Sequence, residues 1–350
     1  MLTGVISTGA WTGGKGFAGV ASSQGNGFAD FLLGDLSSTN YATLVNSTLL
    51  SSRDWEGYAQ DTWQVTPRLT INYGLRYMYQ SPWQERDRNY SPLDFSNSKL
   101  VLLENSATPT APKAAYASLL SVYPFETSQQ AGWSRDYYIP NKTNWGPRFG
   151  FAWRPFGGSK TVLRGGYGMF YNFIGSELGT LEMTFNPPFR IGPTFSTNLT
   201  GTPPAAGYRP DLTFANPFPT GGGGAPASNP LVYETPRNYS NPRQQQWTLT
   251  LERQFGQDWS ARASYVGTQV QHLFWYAFNI NQPAVQQPNV ILQNQRPYQP
   301  WGNINYNASG GIQNFGQMQL ELIKRFSHGL SLQVEYNWTK ASIMCPLPEV

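Results

Sequence analysis

The chain has 350 residues with a formal net charge of +4, and only 13% of them are charged, against roughly a quarter in soluble domains. The small, scattered positive charge argues against a nucleic-acid partner, which would need a basic stripe. His272 and His328 are the only histidines, against a histidine metal site, and lone Cys345 cannot form an internal disulfide.

Aromatic residues make up 15% of the chain, with 20 Tyr, 20 Phe and 12 Trp, yet the mean hydropathy is on the polar side. Two classes fit: a barrel with one polar and one lipid-facing side, or a soluble all-β protein rich in Tyr and Asn. No run of about 18 apolar residues is present, so no transmembrane helix is predicted. The first positive charge is Lys15 and no apolar stretch follows a basic start, so no signal peptide is predicted. A barrel must be exported; on this reading the chain is a fragment or has a misplaced start.

In chain order, Tyr41 to Leu50 is an irregular strand candidate. Gly57 to Thr66 groups Ala59, Trp63 and Val65, with Asp61 interrupting that face. Leu69 to Gln80 alternates strictly. Leu69, Ile71, Tyr73, Leu75, Tyr77 and Tyr79 oppose Thr70, Asn72, Gly74, Arg76, Met78 and Gln80, the period-two pattern of a strand with one apolar side. Phe149, Phe151 and Trp153 oppose Arg148, Gly150, Ala152 and Arg154. Leu163, Tyr167, Met169 and Tyr171 oppose Arg164, Gly166, Gly168 and Phe170. Trp247, Leu249 and Leu251 oppose Gln246, Thr248, Thr250 and Glu252, and Trp259, Ala261, Ala263 and Tyr265 oppose Ser260, Arg262, Ser264 and Val266. Met318, Leu320 and Leu322 oppose Gln317, Gln319 and Glu321. Leu330, Leu332, Val334, Tyr336 and Trp338 oppose Ser331, Gln333, Glu335, Asn337 and Thr339. These runs of about 9–11 residues suit tilted membrane strands better than soluble ones.

The connections alternate in length. Those at 66–68, 155–160, 254–258 and 326–329 are short; those at about 81–144, 172–243 and 269–313 are long and rich in Pro, Asn, Gly, Ser and Thr, with Gly221 to Gly224 marking a flexible stretch. Antiparallel neighbours place successive connections at opposite ends, so every short turn falls at one end and every long loop at the other. Outer-membrane barrels have this asymmetry, with short periplasmic turns and long external loops.

Ordered strings then resemble one family. Phe28-Ala29-Asp30-Phe31-Leu32-Leu33-Gly34, the run from Tyr58 to Tyr77, Asn144 to Trp153, Leu163 to Tyr171, Gln244 to Trp247, Ser264 to Gly267 and Arg325 to Leu330 resemble, in order, large TonB-dependent receptors of the Oar-like kind. The resemblance runs from about residue 25 to 342. It implies an all-β transmembrane barrel of about 22 antiparallel strands. It also implies a plug in the lumen, energy delivered through TonB, and a scarce or bulky substrate such as an iron chelate, glycan or peptide. No plug or coupling segment is found, roughly ten strands are counted, and the tail from Cys345 to Val350 lacks a terminal aromatic strand. Residues 1–350 therefore read as one partial barrel domain. Its partners would be outer-membrane lipid, the rest of the barrel and the plug, with TonB reached only through that plug.

The expected lipid-facing residues are Leu69, Ile71, Tyr73, Leu75, Tyr77, Phe149, Phe151, Trp153, Trp247, Leu249, Leu251, Leu332, Val334, Tyr336 and Trp338. The arginines Arg76, Arg154, Arg164 and Arg262 are expected in the lumen, where pairing with acidic neighbours is the plainer role and contact with an anionic substrate the sharper one. Arg164-Gly165-Gly166-Tyr167-Gly168 lacks the strand-then-helix setting of a phosphate loop. Glu85-Arg86-Asp87-Arg88 reads as a solvated surface run, and His272 beside Leu273-Phe274-Trp275-Tyr276 as an interfacial cluster. No nucleophile, base and orienter come together, so no enzyme activity and no cofactor are expected. Alternatives are a passive porin, or a soluble or surface β-sandwich binding glycans through aromatics, in which the apolar faces would pack together.

Overall fold

Strict alternation becomes eight long strands in an antiparallel meander: β1 (Asp54–Thr66), β2 (Leu69–Gln80), β3 (Trp145–Trp153), β4 (Thr161–Tyr171), β5 (Arg243–Phe255), β6 (Trp259–Ala277), β7 (Ile304–Ser327) and β8 (Leu330–Met344). The computed structural model describes residues 3–7, 27–36, 38–44, 48–104, 119–175, 179–192, 194–196, 212–218, 228–277 and 279–345. Each long strand pairs with its neighbours in sequence, and a ninth short strand, Val232–Glu234, runs parallel to Ile304–Tyr306 of β7. The sheet is open: among the described residues β1 pairs only with β2, and β8 only with β7. The glycine run at 221–224 and residues 346–350 lie outside the described residues.

The short connections are true hairpins. Ser327 pairs with Leu330 across His328 and Gly329, whose φ of 52° and 74° are both positive, the twist that joins adjacent strands tightly. Phe255 pairs with Trp259 across a three-residue turn that opens on Gly256 at φ 61°. Neighbouring turns are tied to one another: Arg154 N–H donates to Arg68 O at 2.9 Å, Gln254 N–H to Lys160 O at 2.7 Å and Arg325 N–H to Asp258 O at 2.7 Å.

Two strands depart from the expected length. β6 has 19 residues and β7 has 24. At about 3.3 Å per residue β7 stretches roughly 80 Å, far beyond what crossing a bilayer requires. The physical reason lies in the cross-strand rows. On the outward side the row Tyr73–Phe149–Tyr167–Trp247–Gly267 is followed, one step toward the long loops, by Gln245, Gln269 and Asn314. Past that step β6 and β7 leave the belt and run into the loop layer, where Ile304, Tyr306 and Ala308 of β7 and Trp275 of β6 pack with residues of the long connections. At His272, with φ 57°, the register between β6 and β7 slips, a bulge in this outer extension.

The strand candidate at 41–50 is corrected. The strand there is Ser38–Leu44, and it pairs with Thr3–Ser7, Arg190–Ile191 and Thr194–Ser196 in a separate small sheet. Among the described residues the apolar sides of the meander pack on no second sheet, unlike the faces of a sandwich. The buried hydrophobic clusters draw instead on the long connections and on Ile304, Tyr306 and Ala308 at the outer end of β7.

Candidate functional site

Three surfaces follow from this layout: an apolar belt, a polar wall behind it, and a layer of long loops at one end. The register places the fifteen apolar positions named from sequence on one side of the sheet. One row reads Trp63–Ile71–Phe151–Gly165–Leu249–Tyr265–Met318–Trp338, and the next reads Leu69–Trp153–Leu163–Leu251–Ala263–Leu320–Tyr336. None of the fifteen is buried. Leu69 to Tyr77 covers about 26 Å of strand, the height of a hydrocarbon-facing band. The second row starts at the first residue of β2 and ends six residues into β8, so the strands are tilted and staggered, as barrel closure demands.

Aromatic residues edge the belt. Phe156, Phe255 and Phe326 stand exposed at or beside the short turns. Trp55 faces Tyr79, and the Tyr77 and Trp145 rings lie 4.5 Å apart, near the long-loop end. Asp61, which breaks the pattern of β1, accepts a hydrogen bond from the Tyr73 hydroxyl at 3.1 Å.

The opposite side is a ladder of polar and charged groups. Arg164 pairs with Glu252 at 3.1 Å, Arg262 with Glu321 at 2.8 Å, and Arg76 with Glu56. Gln333 donates to both Glu321 and Glu335, which face each other across β7 and β8. Arg76 also borders a notch of about 210 Å³ beside Gly74, shared with Tyr58, Gln60 and Arg148. Arg148 stacks over the Phe170 ring at 4.9 Å. Arg154 is the exception among the four arginines named from sequence. It lies one residue past β3 and its guanidinium donates to Pro67 O at 2.5 Å, so it ties two short turns rather than lining the wall.

At the other end the long connections build a hydrophobic core of their own. Leu93, Leu100, Leu102, Leu119 and Tyr123 of the first connection meet Phe189 and Val232 of the second and Trp301 of the third. Trp301 is fully enclosed and donates from Nε1 to Ser98 O at 2.9 Å. Asn186 is a bracket between connections, donating to Ser91 O and Tyr233 O at 2.7 Å and accepting from Tyr233 N–H at 2.7 Å. Asn281 does the same within the third connection, donating to Trp301 O and Gly302 O. Glu85, the first member of the run read as a solvated surface, is instead fully buried; its carboxylate accepts from the backbone N–H of Asp87 and Asn89 at 2.8 Å and shapes the start of the first connection.

Glu234 is buried where the first two connections meet. It accepts from the N–H of Thr235 at 2.8 Å and of Leu93, and Tyr137 Oη lies 2.6 Å from its Oε1. Burial pushes its carboxyl up to about 8, against the opposing pull of those hydrogen bonds. Glu182, which accepts from Asn307 at 2.6 Å, is raised by the same cause.

The family model described as an outer membrane beta barrel domain matches residues 3–343. The chain belongs to this family. It is an outer-membrane chain of the Gram-negative type. Comparison with curated proteins gives no match. Among solved structures, this barrel chain is similar to the outer membrane transporter YddB from Escherichia coli, at 10% identity over 87% of this chain and 30% of that one, with a TM-score of 0.43. It is similar to the siderophore receptor PirA from Pseudomonas aeruginosa, at 12% identity over 87% and 42%, with a TM-score of 0.37. It is also similar to the FrpB iron transporter from Neisseria meningitidis, at 8% identity over 87% and 36%, with a TM-score of 0.30. The chain spans less than half the length of each.

Outer-membrane placement orients the three surfaces. Short turns face the periplasm and the loop layer faces outward. The wall arginines Arg76, Arg164 and Arg262 are each paired with a carboxylate, the plainer of the two roles weighed for them. Their partners Glu252 and Glu321 were visible on the same polar faces; strand register was the missing signal. Glu234, Tyr137 and Asn186 carry no local pattern and become legible only once the connections are folded together.

Proposed function

We propose that this chain is part of the barrel of a TonB-dependent receptor, which takes up a scarce or bulky substrate using energy delivered from the inner membrane. The loop layer makes the first contact with that substrate. The observation that supports this reading is the layer itself. The connections share a buried core around Trp301 and Val232, a built platform rather than loose loops. Binding sites commonly sit on loops held by a rigid scaffold. The order of receptor-like strings along the sequence points the same way. The plug, the remaining strands and contact with TonB belong to the full receptor.

The test uses cells carrying the protein with every residue of its natural chain. They are offered iron chelates, oligosaccharides and peptides, with and without a protonophore. Uptake of one class that stops when the proton gradient collapses supports the reading. Substrate-independent conductance in planar bilayers, with uptake indifferent to the protonophore, supports a passive porin instead.

A further inference from the structure

The apolar side is not uniform. Near the short turns, β6 presents Ala261 and Ala263 where its neighbours present large side chains. Ala263 lies between Leu251 of β5 and Leu320 of β7, and Ala261 between Arg253 and Leu322. Two small residues in line, flanked by longer ones, leave an apolar groove of about 320 Å³ that continues to Val334 and Tyr336 on β8. Its periplasmic mouth carries charge. Arg253 stands exposed on this side with its guanidinium 5.5 Å from the Phe255 ring, and it makes no ion pair among the described residues. Two strands away, Lys324 Nζ sits 5.9 Å from the Trp259 ring and donates to the neutral oxygens of Ser327 and Leu330, so its charge is also unneutralised. A cation facing hydrocarbon is costly unless it reaches the interface or meets an anion. Here two cations and two aromatic rings bracket the mouth of a slot that leads into the belt.

We propose that this groove is a specific site for an anionic phospholipid of the inner leaflet, with one acyl chain laid over Ala261 and Ala263 and the phosphate between Arg253 and Lys324. Charge complementarity selects the headgroup, and the paired alanines select a chain rather than a bulky side group. The inference goes beyond the transport reading and rests only on the membrane placement of the belt.

The experiment takes the protein purified from outer membranes with its whole natural chain and exchanges it into detergent. Phosphatidylglycerol or phosphatidylcholine is then titrated in, and bound lipid is counted by native mass spectrometry. Wild type should hold one phosphatidylglycerol severalfold more tightly than phosphatidylcholine. Arg253→Gln should bring the two lipids to near parity. Ala263→Phe, which fills the slot, should weaken both. Arg164→Gln, on the opposite side of the sheet and away from the groove, should change neither. Heat-modifiable gel mobility verifies that each variant keeps its barrel, and Lys324→Gln is the second charge variant should Arg253→Gln lose it. Equal binding of the two lipids by wild type, a preference that survives Arg253→Gln, or retained lipopolysaccharide in place of a phospholipid would each overturn the proposal.

Discussion

Tyr137 and Glu234, 97 residues apart in sequence, meet at 2.6 Å inside the loop layer with both side chains almost wholly enclosed. The Tyr137 oxygen is also 2.7 Å from Thr235 O, and its single hydrogen can serve only one of the two neighbours. Tyr137 donates to Glu234 Oε1, which also accepts from Thr235 N–H, and these bonds pull against the burial that raises the carboxyl. Burial outweighs them and raises the carboxyl to about 8, so the protonated form of Glu234 is favoured in the folded layer below that pH.

That proton ties loop stability to pH. Glu234 rises from the ordinary value near 4.5 to about 8 on folding, so the folded layer holds a proton that the unfolded one has released between those values. The stabilisation is full below the lower value, falls as pH rises through the window, and is gone above the upper one. The midpoint of urea-induced loss of near-ultraviolet dichroism should therefore drop between about pH 5 and about pH 8.5. Glu234→Gln should flatten most of that slope while weakening the layer at every pH, because its amide cannot accept from both Leu93 and Thr235. Glu182 and Glu126, both raised by burial, account for what slope is left. A wild-type midpoint that rises with pH would refute the assignment.

Trp301 should be the largest single contributor to the layer. It is fully buried among side chains of the other connections and anchors Ser98 through its indole N–H. Trp301→Ala should cost about 3–5 kcal/mol, the usual range for emptying an aromatic site. The loss belongs to the layer alone. Limited proteolysis should cut within 84–104 and 279–303 in the variant, while heat-modifiable mobility of the barrel stays unchanged.

Sequence alone made the belt readable because a strand with one face in lipid must alternate. Leu69 to Tyr77 and Leu330 to Trp338 show that rule without exception. Turn chemistry was equally plain at Gly256 and at His328-Gly329, where positive φ is required. The loop core was not readable. Leu93, Leu100, Leu102 and Trp301 are spaced without period in Pro- and Asn-rich stretches, and their partners are more than a hundred residues away in places. The outer halves of β6 and β7 were hidden for a different reason. Beyond Trp247 and Gly267 the alternation breaks, with Gln269 and Asn314 interrupting the apolar side and Leu273, Phe274, Trp275 and Tyr276 following as a continuous run, so no period-two pattern marks the strands there.

Gly267 offers a test of close packing on the belt. A Cβ built there would stand 2.2 Å from the Trp247 ring, which lies directly over the glycine on the neighbouring strand. The aromatic ring covers the gap that the missing side chain leaves. Gly267→Ala should displace the indole, at a cost of about 1–3 kcal/mol for overpacking. Pairing it with Trp247→Leu should recover part of that loss. Simple additivity of the two changes in folding titrations would show that the ring and the glycine are not coupled.

Leu249 and Thr250 are adjacent in sequence and point to opposite sides of β5, so one substitution at each separates lipid from lumen. Leu249 sits between Gly165 and Tyr265 within the belt, between Phe255 at the short turns and the polar row at Gln245. Thr250 donates to Ser264 Oγ at 3.0 Å on the polar wall, where Arg164 and Glu252 are close by. An arginine at the bilayer midplane costs roughly 2–4 kcal/mol, whereas a polar wall accepts one at a cost within about 0.5 kcal/mol. Leu249→Arg should therefore shift the denaturant midpoint for folding into lipid vesicles far more than Thr250→Arg does. Leu249 is half exposed in the isolated sheet, so in water its replacement would cost little. Equal, small effects at both positions would mean that this side of the sheet faces solvent, and a large effect at Leu249 alone follows only if it faces hydrocarbon.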